Sequence, residues 1–195
     1  MVLIMAECLI YSGCNNAGKT TFLRACAKVE NVPIYDHSVL EQVEVEKWIL
    51  NLFLADKSGS LGGQQAFRKV QEVLESGDIT SCVSGFIIKS SGPPFKTWVE
   101  YVTPKGLFPF EKLGRSCQLP LAWAVDILKR LFINYPASAS PLAEPICVLI
   151  DDLSAHLDLE ARDRVLRGLM KWFPNIRIVA TVLDPKVEFL KLSSI

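Results

Sequence analysis

Residues 13–20, "GCNNAGKT", have the spacing Gly-x-x-x-x-Gly-Lys-Thr. A loop of this kind holds phosphate when several backbone N–H groups converge on the anion, and Gly13 and Gly18 allow the bends and the close approach. A helix that begins near Gly18 would point its positive end at the anion. Lys19 can reach the terminal phosphates of a nucleotide, and the Thr20 hydroxyl can bind a magnesium ion. The spacing therefore predicts a phosphate-binding loop made of Gly13, Cys14, Asn15, Asn16, Ala17, Gly18, Lys19, Thr20 and Thr21.

A phosphate loop that works with Mg²⁺ needs an acidic residue at the end of a nearby strand. The apolar run "ICVLI" at 146–150 is followed directly by Asp151 and Asp152. In α/β folds ligands bind outside the carboxyl ends of the strands, so we assign Asp151 to the magnesium ion, through water. Asp152 and Lys19 are the catalytic candidates, and Asp152 would orient or deprotonate an attacking water. Alternatively, Asp152 begins or caps the next helix.

The elements that must position these residues alternate in type at both ends of the chain. The pattern predicts a strand at 6–12 followed by a helix at 18–29, and later a strand at 146–150, a helix at 158–173 and a strand at 176–182. This order predicts an α/β fold with a mainly parallel sheet flanked by helices. Together with the phosphate-loop motif, it indicates a fold of the P-loop NTPase kind. The whole chain, 1–195, is predicted to be one ATP-binding domain with a mixed helical and β-hairpin insert at about 36–112. The hairpin is centred on "GPP" at 92–94.

Composition limits the kinds of partner. The chain has 21 basic and 21 acidic residues, so its net charge gives no global preference for nucleic acid or an anionic membrane. The sequence contains no segment of 18 uninterrupted apolar residues and thus predicts no membrane segment. Six cysteines occur without C-x-x-C or zinc spacing. We therefore expect a cytoplasmic protein of a reducing compartment, without structural disulfides.

The motifs resemble those of one family. "GCNNAGKTT" resembles the G-x-N-x-x-G-K-T/S-T loop of ABC-type ATPases, including the SMC and RecF branch. "VLIDDLSAHLD" at 148–158 resembles the Walker B strand of that superfamily running into its D-loop. The paired aspartates are similar to the RecF pattern, whereas most relatives have Asp-Glu. The later "IRIVATVLDP" also resembles RecF, and together the similar stretches cover about 6–27 and 113–185.

The resemblance implies an ATPase that closes as a head-to-head dimer with ATP between the subunits. It implies that Lys19 and Thr20 bind phosphate and magnesium, that Asp151 is the Walker B acid and that Asp152 stands at the position of the catalytic carboxylate. Asn16 and Ala17 would lie in the phosphate cradle, and Ser154–Asp158 would form the D-loop. ATP and Mg²⁺ are the implied ligands.

The signature motif of this family has two candidates. "LGGQQ" at 61–65 looks like the signature, but it lies more than 80 residues before Asp151, and a helix start after a glycine turn is its simpler interpretation. "LGRSCQ" at 113–118 is better placed and is favoured, although Ser116 and Cys117 occupy its loop. The switch histidine would fall near Leu183 and is absent. His156 is interpreted as a polar surface residue, and Gln42, Gln64 and Gln65 are the candidate Q-loop residues.

These features predict Mg-dependent ATP binding and slow hydrolysis that drive a conformational or dimerisation switch. An aspartate base has a shorter reach than glutamate, and a general base must lie within hydrogen-bond distance of its water.

The alternatives are a small-molecule kinase, for which no Arg-rich lid is visible, and a nucleotide-binding adaptor without hydrolysis. The expected partner is a second copy of this chain or another protein. Binding to DNA is suggested only by analogy with RecF. The apolar Trp48, Ile49, Leu52 and Phe53 are expected in the core rather than at an interface.

Overall fold

The computed structural model describes residues 7–12, 18–36 and 42–183. The chain divides into two compact units, the first comprising Met1–Val39 and Leu142–Ile195, the second Leu40–Pro141. In chain order the strands are β1 (Glu7–Ser12), β2 (Ile34–Tyr35), β3 (Gly85–Ser90), β4 (Thr97–Thr103), β5 (Gly106–Phe108), β6 (Ile146–Ile150) and β7 (Ile176–Val182). The helices are α1 (Lys19–Glu30), α2 (Gln42–Lys57), α3 (Leu61–Glu75), α4 (Arg115–Asn134) and α5 (Leu159–Trp172). Within the described ranges, no helix is both long and apolar enough to cross a membrane.

The first unit contains a four-stranded parallel sheet in the order β1-β7-β6-β2. Strands β6 and β7 are nearly continuous apolar runs, as expected of parallel strands that are covered on both faces. The predicted α/β fold with a parallel sheet flanked by helices is confirmed at this level. Because the neighbouring strands β1, β7 and β6 are parallel, their carboxyl ends lie at the same edge of the sheet.

Helix α1 connects β1 to β2 and packs on the sheet. Its fully buried Leu23 contacts a core that includes Leu149 of β6 and Val179 of β7. Burying a leucine side chain stabilises the fold by about 2 kcal/mol. The rings of Tyr11 and Phe22, with centroids 4.5 Å apart, join the end of β1 to the first turns of α1. These contacts fix the beginning of α1 over the carboxyl edge of the sheet.

The second unit combines three helices with an antiparallel sheet in the order β3-β4-β5. The predicted hairpin is confirmed as β3 and β4, in which Ile88 lies opposite Val99. Strand β5 adds a third strand through the turn at Pro104 and Lys105, which the sequence pattern did not indicate. The unit extends beyond the predicted insert of about 36–112, because α4 packs against α2 and α3.

The four α2 residues that were expected in the core are buried or partly buried, whereas Leu54 of the same helix is exposed. Ile49 is fully buried, and Trp48, Leu52 and Phe53 are partly buried. The Phe53 ring lies 5.9 Å from that of Phe67 on α3.

The "LGGQQ" segment forms the first turn of α3. Gly59, at φ 81°, ends the preceding turn, and the Ser60 hydroxyl caps the helix by accepting a hydrogen bond from the Gly63 N–H at 3.3 Å. A Cβ atom on Gly63 would lie 2.5 Å from the Cβ of Ala55 on α2, whereas one on Gly62 would meet nothing within 4 Å. Gly63 therefore allows α2 and α3 to approach closely, and the helix-start interpretation accounts for the segment.

The expectation of no disulfide is wrong. Cys82, in the loop between α3 and β3, is bonded to Cys117 in the first turn of α4, with their Cα atoms 5.8 Å apart. The two residues are 35 positions apart, and only the packing of α4 beside that loop brings them together. Among the described cysteines, Cys8, Cys26 and Cys147 are free thiols. Burial raises the pKa of the Cys8 thiol to about 11, so this cysteine stays protonated at neutral pH.

Replacing Gly63 by alanine should destabilise the second unit. The new methyl group would overlap Ala55, and overpacking of this kind costs about 1–3 kcal/mol in the free energy of unfolding. Gly62→Ala is the matched control, because it meets open space and removes a helical glycine, so it should be neutral or stabilise by up to about 1 kcal/mol. Urea unfolding followed by circular dichroism measures both variants. Equal stability of the two variants would contradict the packing role of Gly63.

Candidate functional site

The candidate site lies at the carboxyl edge of the parallel sheet. Thr20 is in the first turn of α1, and Asp151 follows directly after β6. The Thr20 hydroxyl donates a hydrogen bond of 2.8 Å to Oδ2 of Asp151, although the two residues are 131 positions apart in sequence. The structure thus brings together the two residues that the sequence assigned to one metal ion.

Thr181 on β7 holds Asp151 from the other side. Its hydroxyl donates to Oδ1 of Asp151 at 2.7 Å and accepts a hydrogen bond from the Asp152 N–H at 2.9 Å. The Thr181 side chain is fully buried. The backbone N–H of Asp151 donates to the carbonyl of Tyr35 on β2 at 2.8 Å. Asp151 is therefore held through its backbone and through both carboxylate oxygens.

Asp152 lies in a turn that is bonded to the end of β7. Its φ of 54° is in the left-handed region, which aspartate tolerates better than most residues. The Ser154 hydroxyl donates to Oδ1 of Asp152 and accepts from the Leu183 N–H at 3.1 Å. The Leu153 N–H donates to the carbonyl of Thr181 at 2.8 Å. These hydrogen bonds fix the position of the Asp152 carboxylate at the end of the sheet.

The rest of the predicted D-loop leads into α5. His156 is exposed, which agrees with its interpretation as a polar surface residue. Asp158 is the N-cap of α5, and its Oδ1 accepts a hydrogen bond from the Ala161 N–H at 2.8 Å. The Asp158 carboxylate thus stabilises the start of the helix.

The beginning of α1 suits an anion. Gly18 is the N-cap residue with φ 77° and has no side chain with which to cap the helix, and no acidic residue occurs in the first turn of α1. Unpaired amides and the helix dipole at such a terminus favour a negative charge. Lys19 is the first residue of α1, and Thr21 follows Thr20 on the exposed side. Gly13, Cys14, Asn15, Asn16 and Ala17 lie outside the described residues, so the cradle that they form stays a prediction.

The donor atoms at this edge fit a magnesium ion. A threonine hydroxyl and an aspartate carboxylate offer the oxygen ligands that Mg²⁺ prefers. Residues 7–12, 18–36 and 42–183 contain no group of three or more His, Cys, Asp and Glu residues that could hold a metal ion. A sparse donor set is typical of Mg²⁺, which keeps several waters and binds largely through substrate phosphates. Thr20 and Asp151 would hold such an ion.

Both signature candidates belong to the second unit. In the favoured segment, 113–118, Gly114 is the N-cap of α4, and Arg115 and Ser116 are exposed. Cys117 is in the disulfide, and the Gln118 amide donates to the carbonyl of Phe110 at 2.8 Å. Two residues of this segment therefore serve the packing of their own unit, and a signature role for it stays a prediction.

The Q-loop candidates gain no support. Gln64 and Gln65 are in the first turns of α3, and the side chain of Gln42 lies outside the described residues. At the switch position, Leu183 contributes its backbone N–H to Ser154 and no ionisable side chain.

Sequence reasoning missed Thr181 and the positioning role of Ser154. The sequence contains one signal for Thr181, its spacing from Val179 on β7. Residues two positions apart in a strand lie on the same face, so Thr181 lies on the face of the sheet that packs against α1. The sequence of this chain matches no protein-family model and no curated protein.

Replacing Thr181 by valine should reduce the free energy of unfolding by about 1–3 kcal/mol, because the partly buried Asp152 N–H and one oxygen of Asp151 lose their partner. Thr181→Ser retains the hydroxyl and should cost about 1 kcal/mol for the lost methyl group. Thr20→Val should cost under about 1 kcal/mol, because this hydroxyl is exposed to water. Denaturant titration of the three variants tests the ranking, and a Thr181→Val protein as stable as wild type would refute it.

Proposed function

We propose that this chain is an ATP-binding protein of the ABC type, similar to the RecF and SMC branch, which binds ATP with magnesium and hydrolyses it slowly. The observation that supports the proposal best is the hydrogen bond between Thr20 and Asp151. It joins the last residue of a Gly-x-x-x-x-Gly-Lys-Thr motif to the acid at the end of a buried parallel strand. Such a pair is expected where a nucleotide and its metal ion bind together.

The chain's own groups supply the binding chemistry. The amides in the first turn of α1 face the phosphates, and the Lys19 ammonium group compensates the charge of the terminal phosphates. The magnesium ion, when bound, neutralises negative charge on the phosphate oxygens. Thr181 keeps the Asp151 carboxylate in place, so that little reorganisation is needed when the ligands bind.

Asp152 is the proposed catalytic residue, acting as the base that orients a water molecule. Ser154 and the backbone bond to Thr181 position its carboxylate. The short aspartate side chain must approach its water closely, and the chain has no switch histidine, so we expect turnover well below ten per second. At this rate ATP would serve mainly to hold one conformation or a dimer, because a ligand stabilises the state that binds it.

Lys19→Ala should weaken the binding of Mg-ATP at least tenfold, because the terminal phosphates lose their cationic partner. Lys28→Ala is the matched control: Lys28 is exposed in the last turn of the same helix and should leave affinity unchanged. Isothermal titration calorimetry measures both. Wild-type affinity in the Lys19 variant, or no ATP binding by the wild type, would contradict the proposal.

Asp152→Asn should abolish hydrolysis while retaining the binding of Mg-ATP, and should prolong any ATP-dependent dimer. Phosphate release and light scattering with and without Mg-ATP provide the two measurements. If the variant changes neither turnover nor dimer lifetime, Asp152 is not catalytic. A wild type that binds Mg-ATP without any turnover would establish the nucleotide-binding adaptor. Transfer of the γ-phosphate to a small acceptor instead of water would establish the kinase alternative.

A further inference from the structure

The second unit contains a cavity of about 400 Å³ that the proposed nucleotide chemistry does not use. Cys82 and Cys117, the two halves of the disulfide, both line it. Its rim includes the exposed Pro104 and Lys105 of the turn between β4 and β5. A disulfide in the wall of an open cavity of this size is within reach of a small molecule.

The two sulfur atoms are in unequal positions. Cys117 is buried and is the third residue of α4, a helix of 20 residues whose N-cap, Gly114, offers no side-chain cap. The positive end of the helix stabilises a negative charge at this position, which favours Cys117 as the leaving group. Cys82 lies in a loop and is only half-buried, so it is the more accessible sulfur.

The lining of the cavity has positive and apolar parts. The exposed Lys105 and Lys112 both line it, and neither forms an ion pair with another residue in the described part of the chain. Phe108 and Leu113 supply apolar surface in the same lining. This combination suits a small thiol that has carboxylates to pair with the lysines.

We propose that this cavity is a thiol–disulfide exchange site for a small anionic thiol of the glutathione class. The thiolate of the small molecule attacks Sγ of Cys82 and forms a mixed disulfide. The bond to Cys117 breaks, and its electron pair leaves on Sγ of Cys117 as a thiolate. A second thiol then attacks the small-molecule sulfur of the mixed disulfide, which releases Cys82 as a thiolate and produces the oxidised small-molecule disulfide. The protein gains two electrons, and two small thiols are oxidised to one disulfide.

Charge selectivity tests the ligand class. The oxidised protein is reduced under native conditions by glutathione or by neutral 2-mercaptoethanol, and loss of the Cys82–Cys117 linked peptide is followed by mass spectrometry. In the double variant Lys105→Gln with Lys112→Gln, the ratio of the glutathione rate to the 2-mercaptoethanol rate should fall at least fivefold. Lys96→Gln, in the loop between β3 and β4, is the matched control and should leave the ratio unchanged. An unchanged ratio in the double variant overturns the proposal, as does a folded wild type that glutathione cannot reduce.

A second experiment determines which of the two cysteine sulfurs the small thiol attacks. Reduction by glutathione is stopped early with a fast maleimide, and the peptides are mapped. Glutathione should be found on the Cys82 peptide, and the maleimide on the Cys117 peptide, in at least a tenfold excess over the reverse arrangement. An equal distribution, the reverse arrangement or the absence of a mixed disulfide contradicts the mechanism. Both experiments keep the native cysteines, so they do not depend on whether Cys82→Ser or Cys117→Ser variants fold.

Discussion

The first unit depends on a single carboxylate whose two oxygens are bound from different elements. Oδ2 of Asp151 accepts a hydrogen bond from Thr20 at the start of α1, and Oδ1 accepts one from Thr181 on β7. Three segments that are far apart in sequence meet at this group. At the proposed metal site, a carboxylate held in this way would need little reorganisation to bind a cation.

The strand order makes this meeting possible. Because β7 lies between β1 and β6, a residue near its end can bond to the residue that follows β6. The same strand end receives the backbone of Asp152 and Leu153 and supplies the N–H that binds Ser154. Several consecutive residues of the turn after β6 are thus hydrogen-bonded to the end of β7.

The sequence predicts those parts of the fold that have a local pattern. Continuous apolar runs identified β6 and β7, and the glycine spacing with the strand-end acid identified Thr20 and Asp151 as partners. Thr181 and the positioning role of Ser154 were missed because both depend on which strands are neighbours, and no local pattern states the strand order. Gly63 and the disulfide were missed for the same reason, since each reflects the packing of one helix beside another segment.

We claim that Thr20 and Asp151 hold a magnesium ion together with ATP, which requires that the affinity for ATP depend on magnesium through Asp151. The wild type should bind ATP at least tenfold more tightly with Mg²⁺ than with a chelator. Asp151→Asn should bind ATP with nearly the same affinity under both conditions, because it lacks the carboxylate that favours the ion. An equal magnesium dependence in the two proteins would contradict the claim.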